Sequence, residues 1–239
     1  MFIWTGFDYL GEPTPYWWPA RSSYFGIIDL AGFPKDAYYM YQSEWTDKPV
    51  LHIFPHWNWN PGQTVDVWAY TSCDEVELFL NDRSLGVKQK TEDDLHLVWR
   101  VPFEAGTLTA VGKKEGEEVM RSVIKTSGEP AGIIVTPDRQ VINADGTDLS
   151  FVTVTVVDKD NNPVPYAENL ITSSIEGDVT IAGVDNGSQV SMEPFMADHR
   201  KAFHGKCLVV VKAGKNKGKA TVTASSEGLK SAVTTIELL

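Results

Sequence analysis

The run Trp4-Thr5-Gly6-Phe7-Asp8-Tyr9-Leu10-Gly11-Glu12-Pro13-Thr14-Pro15-Tyr16 sets aromatic rings and carboxylates side by side. Aromatic faces stack on the apolar C–H faces of sugar rings, and carboxylates accept hydrogen bonds from hydroxyls. The segment therefore suits a carbohydrate site, with its aromatic loop as the platform and Asp8 and Glu12 as hydroxyl acceptors. The same residues also suit a buried aromatic strand whose carboxylates cap local structure. As a catalytic pair Asp8 and Glu12 fit poorly, because paired glycosidase carboxylates face each other across the sugar from separate elements.

Other chemistry-bearing residues read as structural. Asp158-Lys159-Asp160-Asn161-Asn162 begins like a calcium loop, but Pro163 stands where such a loop needs glycine and Asn169 where it needs glutamate. A plain turn is the better reading. His199 and His204 lack partners at metal-ligand spacing, so no metal site and no cofactor are expected. Asn186-Gly187-Ser188 fits a glycosylation sequon but also a tight turn, which is preferred. His52, His56, Trp57 and Trp59 form a second aromatic group suited to packing against the first segment, or to contact with distal sugar residues. Cys73 and Cys207 lie too far apart in sequence to suggest a disulfide framework, and free thiols are the simpler reading.

The elements that must position these groups show in the composition and its periodicity. The 239 residues are 42% apolar and 22% charged, which allows real cores, and the net charge of −11 argues against a protein that reads nucleic-acid backbones. No apolar run reaches the roughly 18–20 residues of a membrane span, and Met1-Phe2-Ile3-Trp4 does not read as a signal peptide. All eight tryptophans lie between Trp4 and Trp99, whereas the chain beyond about residue 128 is rich in Val, Thr, Ile and Gly.

Three segments follow: 1–46, 47–127 and 128–239. The first reads as a buried strand at Met1–Trp4, a long aromatic loop, and a helix from Pro34 to Trp45. The second alternates with period two at Thr64–Tyr70, Glu75–Leu80 and Leu95–Val101, has a hairpin turn at Asn81–Ser84, and adds strands at Gly106–Val111 and Val119–Lys125. The third repeats that logic at Gly132–Val135, Leu149–Val157, Asp178–Ala182, Lys206–Val211, Lys219–Ala224 and Ala232–Leu238, with a long polar excursion from Asp185 to Gly205. The fold class expected is mainly β, with two immunoglobulin-like β-sandwiches preceded by one βα unit.

The Trp4–Tyr16 motif, together with Ser22-Ser23-Tyr24-Phe25-Gly26-Ile27-Ile28-Asp29 and Gly32-Phe33-Pro34-Lys35-Asp36-Ala37-Tyr38-Tyr39, resembles the end of the catalytic barrel of family 2 glycoside hydrolases. It is most similar to the β-galactosidase-like members of gut Bacteroidetes. Residues 47–127 and 128–239 resemble the two accessory sandwiches that follow the barrel, and Met192–Phe203 resembles a characteristic stretch of the last one.

The resemblance implies a TIM-barrel terminus at 1–46 and a retaining exo-glycosidase acting on terminal β-linked sugars. Its two catalytic glutamates would lie upstream of the Trp4 strand. A complete barrel takes about 250 residues, so this chain carries no catalytic residue and is expected to be inactive alone. Met1 then reads as an internal residue. Trp4 would wall the sugar subsite, with Asp8 and Glu12 in the loop on the same face. The implied partners are a β-glycoside and the missing N-terminal part of the same enzyme, with no nucleic acid and no membrane. The implied location is periplasmic or secreted. The alternative is a non-catalytic carbohydrate-binding or structural sandwich module.

Overall fold

The computed structural model describes residues 2–239. It is mainly β and divides into two compact units: residues 34–127, and residues 128–239 together with the first 33. The segment read as 1–46 is therefore shared between the two units, parting between Phe33 and Pro34.

Within residues 34–127, helix α1 (Asp36–Trp45) begins two residues after the expected Pro34, with Asp36 in the first turn, where the helix dipole favours a negative charge. Seven strands follow: β1 (Leu51–Phe54), β2 (Thr64–Thr71), β3 (Glu75–Leu80), β4 (Arg83–Gln89), β5 (Leu97–Pro102), β6 (Thr107–Lys114) and β7 (Glu117–Lys125). They form two sheets, β1-β2-β5 and β4-β3-β6-β7. The period-two stretches bury alternate side chains: Val65, Val67 and Ala69 from β2, then Val76, Leu78 and Leu80 from β3. These close one core with Leu97, Trp99, Val101, Leu108 and Ala110. Asn81 and Asp82 turn β3 into β4 with φ of 49° and 63°, the two left-handed residues of a type I′ turn.

In the other unit the strands are β8 (Gly132–Pro137), β9 (Val141–Ile142), β10 (Leu149–Val157), β11 (Leu170–Glu176), β12 (Val179–Asp185), β13 (His199–Lys201), β14 (Lys206–Ala213), β15 (Gly218–Ser225) and β16 (Ala232–Leu238). Their sheets are β12-β14-β10-β8 and β13-β11-β15-β16-β9. The first matches an immunoglobulin-type ABED order, and β11-β15-β16 matches the CFG order. Val152, Val154 and Val156, with Val209 and Val211 of the same sheet, face Val222 and Ile236 of the other sheet across a core without aromatic residues. Each such side chain contributes about 1.5–3 kcal/mol by leaving water.

The expected buried strand at Met1–Trp4 is not formed. Met1 lies outside the described residues, Phe2–Trp4 belong to no strand, and Phe2 is 98% exposed. Apolarity alone makes no strand where no neighbouring chain supplies the ladder partners that edge groups require.

Candidate functional site

Residues 2–33 contain no named helix or strand, yet they are ordered by main-chain bonds between two limbs. Asp8 N–H donates to Ile28 O (2.8 Å) and Ile28 N–H to Gly6 O (2.9 Å). Gly11 N–H reaches Arg21 O and Ser23 N–H reaches Tyr9 O, both at 2.8 Å, while the Ser23 hydroxyl accepts Tyr9 N–H at 3.0 Å. Gly26 is required where the limbs cross. A Cβ there would lie 2.2 Å from Asp8 N and 2.3 Å from Phe7 C, both main-chain atoms.

This frame splits the three sequence-predicted residues. Trp4 is 73% exposed. Glu12 is also exposed, in a left-handed conformation (φ 44°), and accepts a hydrogen bond from the Tyr9 hydroxyl. That bond to an anion pushes the Tyr9 phenol above its ordinary value, while Trp4 acts on the same hydroxyl in the opposite sense. Trp4, Tyr9 and Glu12 are thereby brought together. Asp8 is only 4% exposed: its Oδ1 accepts Gly26 N–H at 2.8 Å and its Oδ2 accepts from Gln189 Nε2 at 3.3 Å. Beyond Glu12, Trp17 and Trp18 stand 91% and 84% exposed, two rings that the candidate set above omits although they sit in the same aromatic segment.

The polar excursion of the last sandwich holds this segment. Gln189 O accepts Arg21 N–H (3.2 Å), and Arg21 Nη2 donates to Glu193 O (3.3 Å). The guanidinium groups of Arg21 and Arg200 both lie on the Phe195 ring, 4.9 and 5.4 Å from its centroid. Arg200 is 1% exposed and organises the excursion. It pairs with Asp185 (3.1 Å), donates to Asn186 Oδ1 (3.2 Å) and Glu193 O (3.0 Å), and lies 3.7 Å from the Glu193 carboxylate. Gly187 takes φ 75° beside Asn186, whose side-chain oxygen accepts Ser188 N–H at 3.0 Å, and a Cβ at Gly187 would strike the Asp29 carboxylate at 2.2 Å. Beside the segment runs a groove of about 620 Å³ lined by Phe7, Phe33, Phe151, Phe195, Leu208 and Val210.

The remaining candidates take structural places. Trp57 is fully buried against Phe103 and donates its indole N–H to Glu104 O, whereas Trp59 stacks on His56. Asp158 accepts main-chain N–H groups of Gly128, Asp160 and Asn162, so the calcium-like stretch is a turn. Cys73 and Cys207 are free and buried. Among the described residues no group of three or more His, Cys, Asp or Glu side chains could hold a metal ion. None of their helices is long and apolar enough to cross a membrane.

In the 34–127 unit His52, a member of the second aromatic group, packs against the helix of the first segment, and the row of rings extends beyond it. Tyr39 stacks on His52 (3.9 Å, 15°), His52 on Phe54 (5.4 Å, 21°) and Trp68 on His96 (4.2 Å, 20°).

Residues 133–235 match the family model described as glycoside hydrolase family 2 C-terminal domain 5, and residues 62–120 match a domain of unknown function, DUF4982. A β-galactosidase of Bacteroides ovatus is 59% identical over 98% of this chain, and a putative β-glucuronidase of Formosa agariphila is 37% identical over 98%. The crystal structure of a β-glycosidase from Bacteroides vulgatus superposes with a TM-score of 0.92 at 38% identity over 98% of the chain. The chain spans 28%, 23% and 30% of these three proteins respectively. Over nearly its whole length the chain is similar to one part of several longer glycoside hydrolases. Residues 133–235 thus carry a C-terminal domain of glycoside hydrolase family 2, and the chain corresponds to the C-terminal part of its longer relatives.

Proposed function

We propose that this chain is the C-terminal part of a retaining, β-galactosidase-like exo-glycosidase, and that its aromatic segment forms one wall of the sugar site. The observation that carries this reading is the exposed Trp4 ring set beside the Tyr9–Glu12 pair on a segment fixed at its base by Asp8. Trp4 would stack on the apolar face of the sugar. Glu12, oriented by the Tyr9 hydroxyl, would accept a sugar hydroxyl, and Asp8 would brace the loop from inside. The identity to the Bacteroides ovatus β-galactosidase supports the substrate class, terminal β-linked sugars.

Double displacement needs two carboxyl groups about 5–5.5 Å apart on opposite sides of the glycosidic bond. Buried Asp8 is engaged by Gly26 and Gln189, so it and Glu12 do not form such a pair. In the family reading the two glutamates belong to the upstream region that this chain does not span, and that region is its partner. A periplasmic or secreted location follows from the family resemblance alone.

The test joins this chain to the upstream part of the Bacteroides ovatus relative, in place of that protein's own C-terminal region. The chimera should hydrolyse a chromogenic β-galactoside, the isolated chain should hydrolyse none of a β-glycoside panel, and Trp4→Ala in the chimera should lower kcat/KM about tenfold or more, equivalent to at least about 1.4 kcal/mol of transition-state binding. Turnover by the isolated chain that Glu12→Gln abolishes would sink the reading, as would a Trp4→Ala chimera of unchanged activity.

A further inference from the structure

We propose that Gln189, on the polar excursion of the last sandwich, is a positioning residue for the sugar-contacting segment; this rests on the reading of that segment given above. Gln189 is 3% exposed and touches both limbs of the segment. Its side-chain amide donates to Asp8 Oδ2 on the first limb (3.3 Å), and its carbonyl accepts Arg21 N–H on the second (3.2 Å). The other oxygen of Asp8 takes Gly26 N–H, also on the second limb. One glutamine and one carboxylate therefore tie the two limbs to each other and to the sandwich.

Asp8 adjoins Tyr9, whose hydroxyl holds Glu12, and Gly11 is bonded to Arg21 O. A shift of Asp8 passes through a single peptide unit to the Tyr9–Glu12 pair. The rigid excursion behind Gln189 makes the tie stiff. Ser188 N–H donates to Asn186 Oδ1 (3.0 Å), Asn186 Nδ2 to Lys201 O (2.9 Å), and buried Arg200 holds Asp185 and Glu193 on either side. The terminal sandwich, which contains neither of the candidate sugar-contacting residues Trp4 and Glu12, in this way sets their geometry through a contact that spans 181 residues in sequence. Placement errors of about 1 Å cost rates of the order of a hundredfold.

Three variants in the same chimera test this. Gln189→Ala, which removes the donor, should lower kcat/KM about tenfold to a hundredfold. Gln189→Glu sets a second carboxylate against Asp8 and should be at least as damaging. The double variant Asp8→Asn/Gln189→Glu exchanges amide and carboxylate, keeps an acceptor for Gly26 N–H, and should return kcat/KM to within about threefold of the starting protein. Such rescue is the coupling expected of residues that share one hydrogen bond, and distant independent sites would not show it. In the 239-residue chain Gln189→Ala should also speed tryptic cleavage after Arg21 by about tenfold, because weaker local closure raises the open population.

Unchanged kcat/KM or unchanged cleavage in Gln189→Ala, or no rescue by the double variant, overturns the positioning role. If Trp4→Ala still lowers kcat/KM about tenfold or more in that case, the sugar-site reading stands. If Trp4→Ala is also silent, that reading has failed first.

Discussion

Gly26→Ala offers a measure of how tightly the aromatic segment is closed. The added Cβ would sit 2.2 Å from Asp8 N, 2.3 Å from Phe7 C and 2.8 Å from Ile28 O, and no side-chain rotation can move these main-chain atoms away. Ordinary contact begins near 3.4 Å, so the limbs must part by 3.4 − 2.2 = 1.2 Å at the worst contact. If the Gly26 N–H to Asp8 bond, 2.8 Å long, opens by the same amount, it is lost. A hydrogen bond to a charged group contributes about 1.5–3 kcal/mol, and overpacking costs about 1–3 kcal/mol. A combined loss of about 3 kcal/mol, near the lower end of that sum, raises the open fraction by about 150-fold, at 1.4 kcal/mol per factor of ten. The core of the last sandwich contains no residue of the segment, so it should stay folded. Timed trypsin digestion, with the product ending at Arg21 followed by mass spectrometry, reads the open fraction directly. Circular dichroism of the same samples should keep its β signal. An increase below about threefold, or loss of the sandwich together with the segment, would refute the argument that the limbs close locally.

Arg200→Ala should destabilise the 128–239 sandwich by about 3–5 kcal/mol, because it strands Asp185 and Glu193 beside an empty buried space; a urea titration showing less than about 1 kcal/mol would count against that role. Acid should weaken the same unit. Main-chain N–H of Asn143 and then Arg139 hold Asp148 down to about 2. Burial opposes the same shift at Asp158, but N–H groups of Gly128 and Asn162 prevail and bring it to about 2. Both folded values lie below the ordinary 3.8, so their contribution is complete above about pH 4 and is lost as pH falls towards 2. Urea midpoints at pH 5 and pH 2.5 should differ less in Asp148→Asn than in the unchanged chain; equal differences would dismiss the effect. Burial pushes the Cys207 thiol up to about 12, so a disulfide reagent at pH 8 should modify it only after denaturant is added; stoichiometric reaction in the native chain would contradict this.

Sandwich strands were legible wherever alternation ran through β-branched residues. Thr64–Thr71 and Glu75–Leu80 bury alternate side chains as the period predicts. β11 went unread because its inward face carries Ile171 and Ser173 in a stretch of threonines and serines, a pattern that polarity hides. The Asp185–Gly205 excursion misled in the same way. Asn186, Gln189 and Arg200 look like solvated loop residues, yet all three are buried, because hydrogen bonds and ion pairs replace the water they lose. The reverse holds at Phe2–Trp4, where hydrophobicity signals a need for cover and says nothing about which part of a chain provides it. Glu12 was visible as a surface group from its residue type, whereas Trp4 was read into a buried strand and is 73% exposed. The bracing of Asp8 was not, because its partner Gln189 lies 181 positions away.

That separation also sets a timetable. A ribosome adding about 5–20 residues per second needs about 10–40 s to go from Asp8 to Gln189. During that interval the 34–127 unit is finished and can fold, while the nascent Trp4–Trp18 stretch waits without its clamp and open to chaperones. The part of the unit that leaves the ribosome first is therefore the last to find its place.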